Sequence, residues 1–167
     1  MPRFNGSNEQ NITFRAPERR DATAMWRLAD STVDSNSPYS YLMLGEYFGG
    51  TCAVAEHDGR VIGFATGLNP ADEPETLFIW QIAVDPSARG WGVASRLLDH
   101  LVSRPQVPRL RYLEATVTPS NEGSMSLFRS FAGRWDAECV EEELFAADDF
   151  PDALDHEPEV RFRIGAF

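Results

Sequence analysis

The chain contains no lysine. All 15 of its basic residues are arginine, and with 26 acidic residues its formal net charge is −11 at pH 7. An acidic surface of this kind repels polyanions, so composition argues against nucleic acid as a partner. Two interpretations of the acidity stay open and are compatible. One is a solvated surface suited to a salty cytoplasm, and the other is an electrostatic funnel for a cationic substrate.

Cysteines and long apolar runs are also scarce. The two cysteines, Cys52 and Cys139, fit neither a disulfide framework nor a metal cluster, so we expect small apolar packing residues and no metal. No stretch is long enough to cross a bilayer, and the first residues have no apolar segment typical of a signal peptide. We therefore expect a cytoplasmic protein without a membrane partner. Its single domain should span 12–167 and follow a flexible leader at 1–11.

Apolar periodicity predicts alternating strands and helices. Strands are expected at Ile12–Arg15, Thr51–Glu56, Arg60–Thr66, Leu77–Val84, Arg111–Val117 and Val160–Ile164. Helices are expected after Pro17, near Leu42–Phe48, at Gly92–Val102 and after Pro119, with a loop over Asp30–Tyr41. The residues from Asp136 onward are acidic and come before the last strand. This order is typical of a mixed α/β layer.

One loop carries most of the functional information. The strand that ends at Val84 leads through a turn into a glycine-bearing segment at the start of a helix: Arg89, Gly90, Trp91, Gly92, Val93 and Ala94. Converging N–H groups, the positive end of the helix dipole and close backbone approach at glycine favour a bound phosphate group. The pattern R-G-x-G-x-A is neither a dinucleotide fingerprint nor a Walker loop. The alternative is an ordinary strand-turn-helix with incidental glycines.

This loop resembles the pyrophosphate loop of the GNAT acetyltransferases, which bind acetyl-CoA there. Three further segments are similar to the diaminobutyrate acetyltransferases of ectoine biosynthesis. They are D-x-N-S-x-Y from Asp34, F-x-W-Q-x-A-V from Phe78 and T-V-T-P-S-N from Thr116, and the likeness runs from about Thr13 to Gly165.

The resemblance implies a fold, a reaction and a setting. The fold would be the α/β GNAT fold, with helices flanking a mixed central sheet that is splayed at the strand before the pyrophosphate loop. The reaction would be transfer of acetyl from acetyl-CoA to the terminal amine of L-2,4-diaminobutyrate. The protein would be a homodimer, and its pathway would serve osmoadaptation.

The resemblance also assigns the acetyl donor's contacts. The main chain of Ile82, Ala83 and Val84 would hold the pantetheine arm, and near Val84 it would polarise the acetyl carbonyl. Asn121, Ser124 and Phe128 would contact the cofactor from the next helix, although Asn121 is equally suited to be a helix cap. A tyrosine that often protonates the thiolate in this family is replaced here by Phe128. The general acid is therefore open: the hydroxyl of Ser124, Tyr39 or Tyr41, water, or none.

The acceptor has two ammonium groups and one carboxylate. Asp34 and Glu159 are the candidates for holding the amines, as binding and catalytic residues. Further predicted contacts are Asn36, Tyr39, Trp80 and Glu114. The alternatives are a half-exposed strand position for Glu114, core packing for Trp80 and helix capping for the loop around Asn36. We expect His57 to be solvated, and His156 is a weak candidate base.

Two other functions stay open. One is acetylation of another small amine or a polyamine, and the other is a non-catalytic acyl-CoA-binding module, which the phenylalanine at the tyrosine position favours.

Overall fold

A computed structural model describes residues 11–105 and 108–167. Apart from Asn11, the predicted flexible leader lies outside these residues. The strands are β1 (Ile12–Arg15), β2 (Ala53–His57), β3 (Arg60–Leu68), β4 (Thr76–Val84), β5 (Tyr112–Val117), β6 (Glu138–Phe145) and β7 (Glu159–Gly165). The helices are α1 (Ala22–Thr32), α2 (Pro38–Tyr47), α3 (Val93–Ser103) and α4 (Glu122–Arg134). The strands form a seven-stranded mixed sheet in the order β1-β2-β3-β4-β5-β7-β6, which confirms the α/β class.

The chain divides into two compact units. The first contains the residues up to Thr66 together with Gln81–Leu101, and the second contains Gly67–Trp80 together with Val102–Phe167. Strands β3 and β4 contribute residues to both units. Among residues 11–105 and 108–167, no helix has the length and apolarity that a membrane crossing requires.

The first unit is built on antiparallel pairing of β1 with β2 and of β2 with β3. Helices α1 and α2 contribute to a core that is closed to solvent, and its buried members are Ala22, Met25, Leu28, Ala29, Tyr41, Val54, Phe64 and Ala83. Arg15 at the end of β1 connects this strand to the residue before α1 and to β2. It donates to both carboxylate oxygens of Asp21, at 2.7 and 2.9 Å, and to Glu56 of β2 at 2.7 Å.

The second unit is built around β5. The amino-terminal part of β4 runs parallel to it, with Thr76 opposite Tyr112 and Ile79 opposite Ala115. On its other side β5 pairs antiparallel with β7, which pairs antiparallel with β6. Phe128 and Phe131 of α4 are buried, and the ring of Phe128 lies 5.9 Å from that of Phe162 on β7.

One prediction of secondary structure was wrong, and one strand was missed. The expected loop over Asp30–Tyr41 is helical at both ends, because α1 extends to Thr32 and α2 begins at Pro38. Proline is well suited to this first helical position, since the N–H that it lacks would have no partner there. Strand β6 was not predicted. Its residues are exposed except for the half-buried Cys139, so the sequence shows no apolar alternation there.

Candidate active site

The turn after β4 is held in place by Asp85. Its backbone N–H donates to the carbonyl of Ile62 on β3 at 2.8 Å, and its carboxylate accepts from the Ser87 N–H at 2.8 Å and the Ser87 hydroxyl at 2.7 Å. These hydrogen bonds from Ser87 lower the pKa of Asp85, so the carboxylate is ionised at neutral pH. The chain therefore leaves β4 in a fixed direction, towards Arg89.

Both glycines of the R-G-x-G-x-A segment have left-handed backbones. The φ angle is +82° at Gly90 and +71° at Gly92, and the space where a Cβ would lie is open at both positions. Glycine is therefore required here by backbone conformation and not by crowding. The path of the chain therefore depends on both glycines, and their contact with a phosphate group stays a prediction.

Helix α3 begins immediately after these glycines, at Val93. Its first N–H groups have no acceptor within the helix, and the positive end of the helix dipole lies there. The Val93 side chain is buried, whereas Arg89, Gly90 and Gly92 are exposed. A solvent-accessible loop of this geometry suits an anionic ligand, and the exposed guanidinium of Arg89 adds positive charge.

The first turn of α3 packs closely against strands of the same unit. A Cβ at Gly63 of β3 would lie 2.8 Å from Val93 Cγ1 and 3.2 Å from the Ala83 carbonyl oxygen. The absence of a side chain at Gly63 therefore sets how near the helix start comes to the strands. Sequence reasoning did not single out this residue, although a glycine inside an apolar strand is a signal of close approach.

The ring of Trp91 lies edge-on to that of His57, with 5.4 Å between ring centroids and 85° between the planes. His57 is therefore half-buried against the loop, and the expectation that it is simply solvated was wrong. This contact links the middle of the loop to the end of β2.

The residues between α1 and α2 are tied to β4 by side-chain hydrogen bonds. The Tyr41 hydroxyl accepts from the Asn36 N–H at 3.2 Å and donates to Gln81 Oε1 at 2.8 Å, and Gln81 Nε2 donates to the Asp34 carbonyl at 2.5 Å. Tyr41 is fully buried and its proton is already donated, which argues against it as the general acid. Sequence reasoning missed the role of Gln81, although the residue stands within the F-x-W-Q-x-A-V segment.

Several side chains between α1 and the first turn of α2 are accessible to solvent. Asp34 is exposed, Asn36 is half-buried, and Tyr39 is 67 % exposed on the first turn of α2. The Asp34 carboxylate is therefore open to a cationic group from solvent. In the part of the chain that the structure describes, no group of three or more His, Cys, Asp or Glu side chains is placed to hold a metal ion.

In the second unit, Glu114 of β5 is only 8 % exposed, so the alternative of a half-exposed strand position was wrong. Its carboxylate accepts a short hydrogen bond from Arg163 of β7, and Arg161 Nη1 lies 3.9 Å away. Arg163 also bonds Glu73 at 2.9 Å. The charge of Glu114 is thus balanced within the protein, and a role in substrate binding stays a prediction.

Trp80 of β4 is 43 % exposed, so core packing is excluded and its indole is available for a ligand. Glu159 at the start of β7 is half-buried, with His156 Nε2 at 3.9 Å from its Oε1. The His156 ring stacks on Phe150 with a centroid distance of 3.9 Å. This orders the segment before β7.

Asn121 is the N-cap of α4, and its side-chain oxygen accepts from the Ser124 N–H at 3.1 Å. The capping interpretation of Asn121 is therefore confirmed, and a contact with the cofactor stays a prediction. Ser124 is half-buried, and Phe128 is buried beside Phe162. The neighbouring Ser120 N–H donates to Glu157 at 3.2 Å, which ties the loop before α4 to the segment that precedes Glu159.

Comparison with known proteins identifies this arrangement. The model of the acetyltransferase (GNAT) family matches residues 19–133, which include the whole glycine loop. The chain belongs to the GNAT acetyltransferase family. It is therefore an acyltransferase, and the predicted family and fold are confirmed.

Two relatives in this family carry the same name. An L-2,4-diaminobutyric acid acetyltransferase of Halalkalibacterium halodurans is 46 % identical over 94 % of this chain and 83 % of its own length. One from Marinococcus halophilus is 45 % identical over 100 % of this chain and 96 % of its own length.

Solved structures agree at two levels. The diaminobutyrate acetyltransferase EctA of Paenibacillus lautus, in complex with L-2,4-diaminobutyric acid and coenzyme A, is 39 % identical with a TM-score of 0.88. The match covers 93 % of this chain and 95 % of that one. An N-acetyltransferase of Staphylococcus aureus, 22 % identical with a TM-score of 0.66 over 93 % and 98 % of the two chains, shares the fold.

Proposed function

We propose that this acetyltransferase moves the acetyl group of acetyl-CoA to the γ-amine of L-2,4-diaminobutyrate, as a step in ectoine biosynthesis. The likeness to the Paenibacillus lautus enzyme, which was solved with that diamine and coenzyme A, carries the proposal. The left-handed glycine loop at the start of α3 supports it independently, because it suits the pyrophosphate of coenzyme A.

In the proposed mechanism the first unit binds the acetyl donor. N–H groups from Gly90 to Ala94 and the Arg89 guanidinium hold the pyrophosphate. The main chain of Ile82, Ala83 and Val84 holds the pantetheine arm, and near Val84 it polarises the acetyl carbonyl. The splay of the sheet at β4 and the cofactor contacts of Asn121, Ser124 and Phe128 stay predictions.

The chemical step is a direct transfer. The neutral γ-amine attacks the thioester carbonyl carbon, the C–S bond breaks, and coenzyme A leaves as a thiolate. The amine's proton passes to water or to a carboxylate. Phe128 has no hydroxyl, and the buried Tyr41 already donates its proton to Gln81, so neither serves as the acid. The thiolate is protonated by Tyr39, Ser124 or water, or it leaves unprotonated.

Asp34 and Glu159 are proposed to bind the two ammonium groups, with Asn36, Tyr39, Trp80 and Glu114 as further candidate contacts. The exposed Asp34 carboxylate and Trp80 indole support their assignments. Selection of the γ-amine must come from positioning, since the α-amine is the less basic and is deprotonated more readily.

A homodimer, a cytoplasmic location and a role in osmoadaptation are also proposed. The exposed apolar side chains of Leu42 on α2 and of Phe48 just after it offer a surface for a second copy. Light scattering after size exclusion tests the dimer. Acetyl-CoA is an intracellular metabolite, which supports the location.

A substrate panel tests the activity. Purified protein is mixed with acetyl-CoA and, in turn, L-2,4-diaminobutyrate, ornithine, lysine and spermidine, and free thiol is followed. We expect the highest kcat/KM with diaminobutyrate. A preference for a polyamine would keep the family and contradict the substrate, and acetyl-CoA binding without thiol release on any amine would indicate the binding module.

A further inference from the structure

The hydroxyl of the buried Tyr41 is the centre of a hydrogen-bond relay. It accepts from the backbone N–H of Asn36 and donates to the side chain of Gln81, which in turn donates to the Asp34 carbonyl. Gln81 is itself held in β4, because its own N–H donates to the Thr66 hydroxyl at 3.1 Å. One path of hydrogen bonds therefore runs from β3 through β4 to the loop between α1 and α2.

Core packing alone does not require a hydroxyl group at position 41. The Tyr41 ring fills its space against Phe64 in an edge-on contact, with 5.9 Å between centroids, and phenylalanine would fill the same volume. A fully buried hydroxyl is costly unless it is hydrogen-bonded, and here it is bonded on both sides. The hydroxyl fixes the Asn36 N–H directly, and it orients the Gln81 side chain, which in turn holds the Asp34 carbonyl.

The two backbone groups belong to two of the acceptor-binding candidates, Asp34 and Asn36. Asp34 has its carbonyl held by Gln81, while its carboxylate is exposed. Gln81 immediately precedes Ile82–Val84, the main chain assigned to the acetyl donor. The relay therefore ties the position of one ammonium-binding carboxylate directly to the strand that presents the thioester.

We infer that Tyr41 and Gln81 are positioning residues that determine which amine of the acceptor is acetylated. They fix the Asp34 loop relative to β4, so that the γ-amine and not the α-amine faces the acetyl carbonyl. This inference rests on the proposed function. It adds two residues that contact neither substrate but set the distance on which regiochemistry depends.

Two variants break the relay at different bonds. Tyr41→Phe removes both bonds of the hydroxyl and keeps the ring. Gln81→Glu keeps an acceptor for Tyr41 but replaces the donor to the Asp34 carbonyl with a carboxylate oxygen, which repels it. The matched control is Tyr47→Phe, which removes a hydroxyl from the same helix at a side chain that is 71 % exposed.

Kinetics and product analysis give the first readout. In both relay variants we expect the KM for diaminobutyrate to rise about tenfold, the cost of one good hydrogen bond, while the KM for acetyl-CoA stays within about twofold. Acetylation at the α-nitrogen, measured by NMR, should increase in both. The Tyr47→Phe variant should match the wild type in all three quantities.

Amide hydrogen exchange gives a readout that needs no substrate. The Asn36 N–H should exchange faster in Tyr41→Phe and at the wild-type rate in Gln81→Glu, where its acceptor survives. A lower melting temperature with unchanged diamine KM and unchanged product ratio would overturn the inference and leave a structural role. A wild-type enzyme that acetylates a different amine would overturn the proposed substrate. The effect of Tyr41→Phe on the KM for that amine would then decide the positioning role separately.

Discussion

Replacing Gly92 by alanine tests whether the left-handed loop is what binds the acetyl donor. At φ +71° the new methyl group meets open space, so the whole cost is that of a left-handed backbone at a residue with a Cβ. That cost is about 1–2 kcal/mol. If the exposed loop relaxes to a right-handed conformation, a smaller fraction of the molecules has the left-handed loop that binds coenzyme A. The Kd for coenzyme A then rises by about 5- to 30-fold.

Isothermal titration with coenzyme A measures this Kd directly, and thermal melting measures any cost to stability. Gly133→Ala is the matched control, since it adds the same methyl in open space at an α4 position without a positive φ. There alanine should stabilise the helix by about 0.5–1 kcal/mol and leave the Kd unchanged. If Gly92→Ala left both the Kd and the melting temperature unaltered, the argument from backbone conformation would be wrong.

The remaining predictions concern packing, charge and the acceptor. Gly63→Ala should destabilise the fold by about 1–3 kcal/mol and weaken coenzyme A binding, because its Cβ would push α3 away; melting and titration measure both. Glu114→Gln should lower the free energy of unfolding by about 1–2 kcal/mol, because an amide oxygen accepts a weaker hydrogen bond from Arg163 than a carboxylate does while Arg163 keeps Glu73 at 2.9 Å, and a denaturant titration that showed no loss would refute this. Burial raises the pKa of Asp21, but the hydrogen bonds from Arg15 and from the Glu18 N–H, together with the charge of Arg15, lower it overall. The stabilisation by the ionised carboxylate is therefore present at neutral pH and is lost as acid protonates Asp21. Asp21→Asn should remove about 2 kcal/mol at pH 7 and flatten that acid limb in melts recorded against pH. Asp34→Asn should raise the KM for diaminobutyrate at least tenfold by the loss of one ammonium partner, with the coenzyme A Kd unchanged in titrations.

The parts of the fold that the sequence predicts well are those with local causes. Gly90 and Gly92 could be recognised because a left-handed turn before a helix selects glycine whatever lies around it. The hairpin at Asp58 and Gly59 has the same kind of local signal, and strands β2 and β3 flank it as expected. Apolar periodicity placed α3 within one residue at each end.

The parts that were missed depend on partners distant in the chain. Strand β6 owes its place to pairing with β7, and its exposed glutamates give no periodic signal. The bond between Tyr41 and Gln81 joins residues 40 positions apart, and neither residue type announces it. Glu114 looked half-exposed, because alternation along β5 shows a polar face but not the arginines of β7 that cover it.

The most direct test of the proposed function is the position of the acetyl group in the product. Wild-type protein is incubated with acetyl-CoA and L-2,4-diaminobutyrate, and the product is assigned by two-dimensional NMR. The account predicts rapid thiol release and acetyl on the γ-nitrogen alone. Acetyl on the α-nitrogen, or no product while acetyl-CoA is bound, would contradict it.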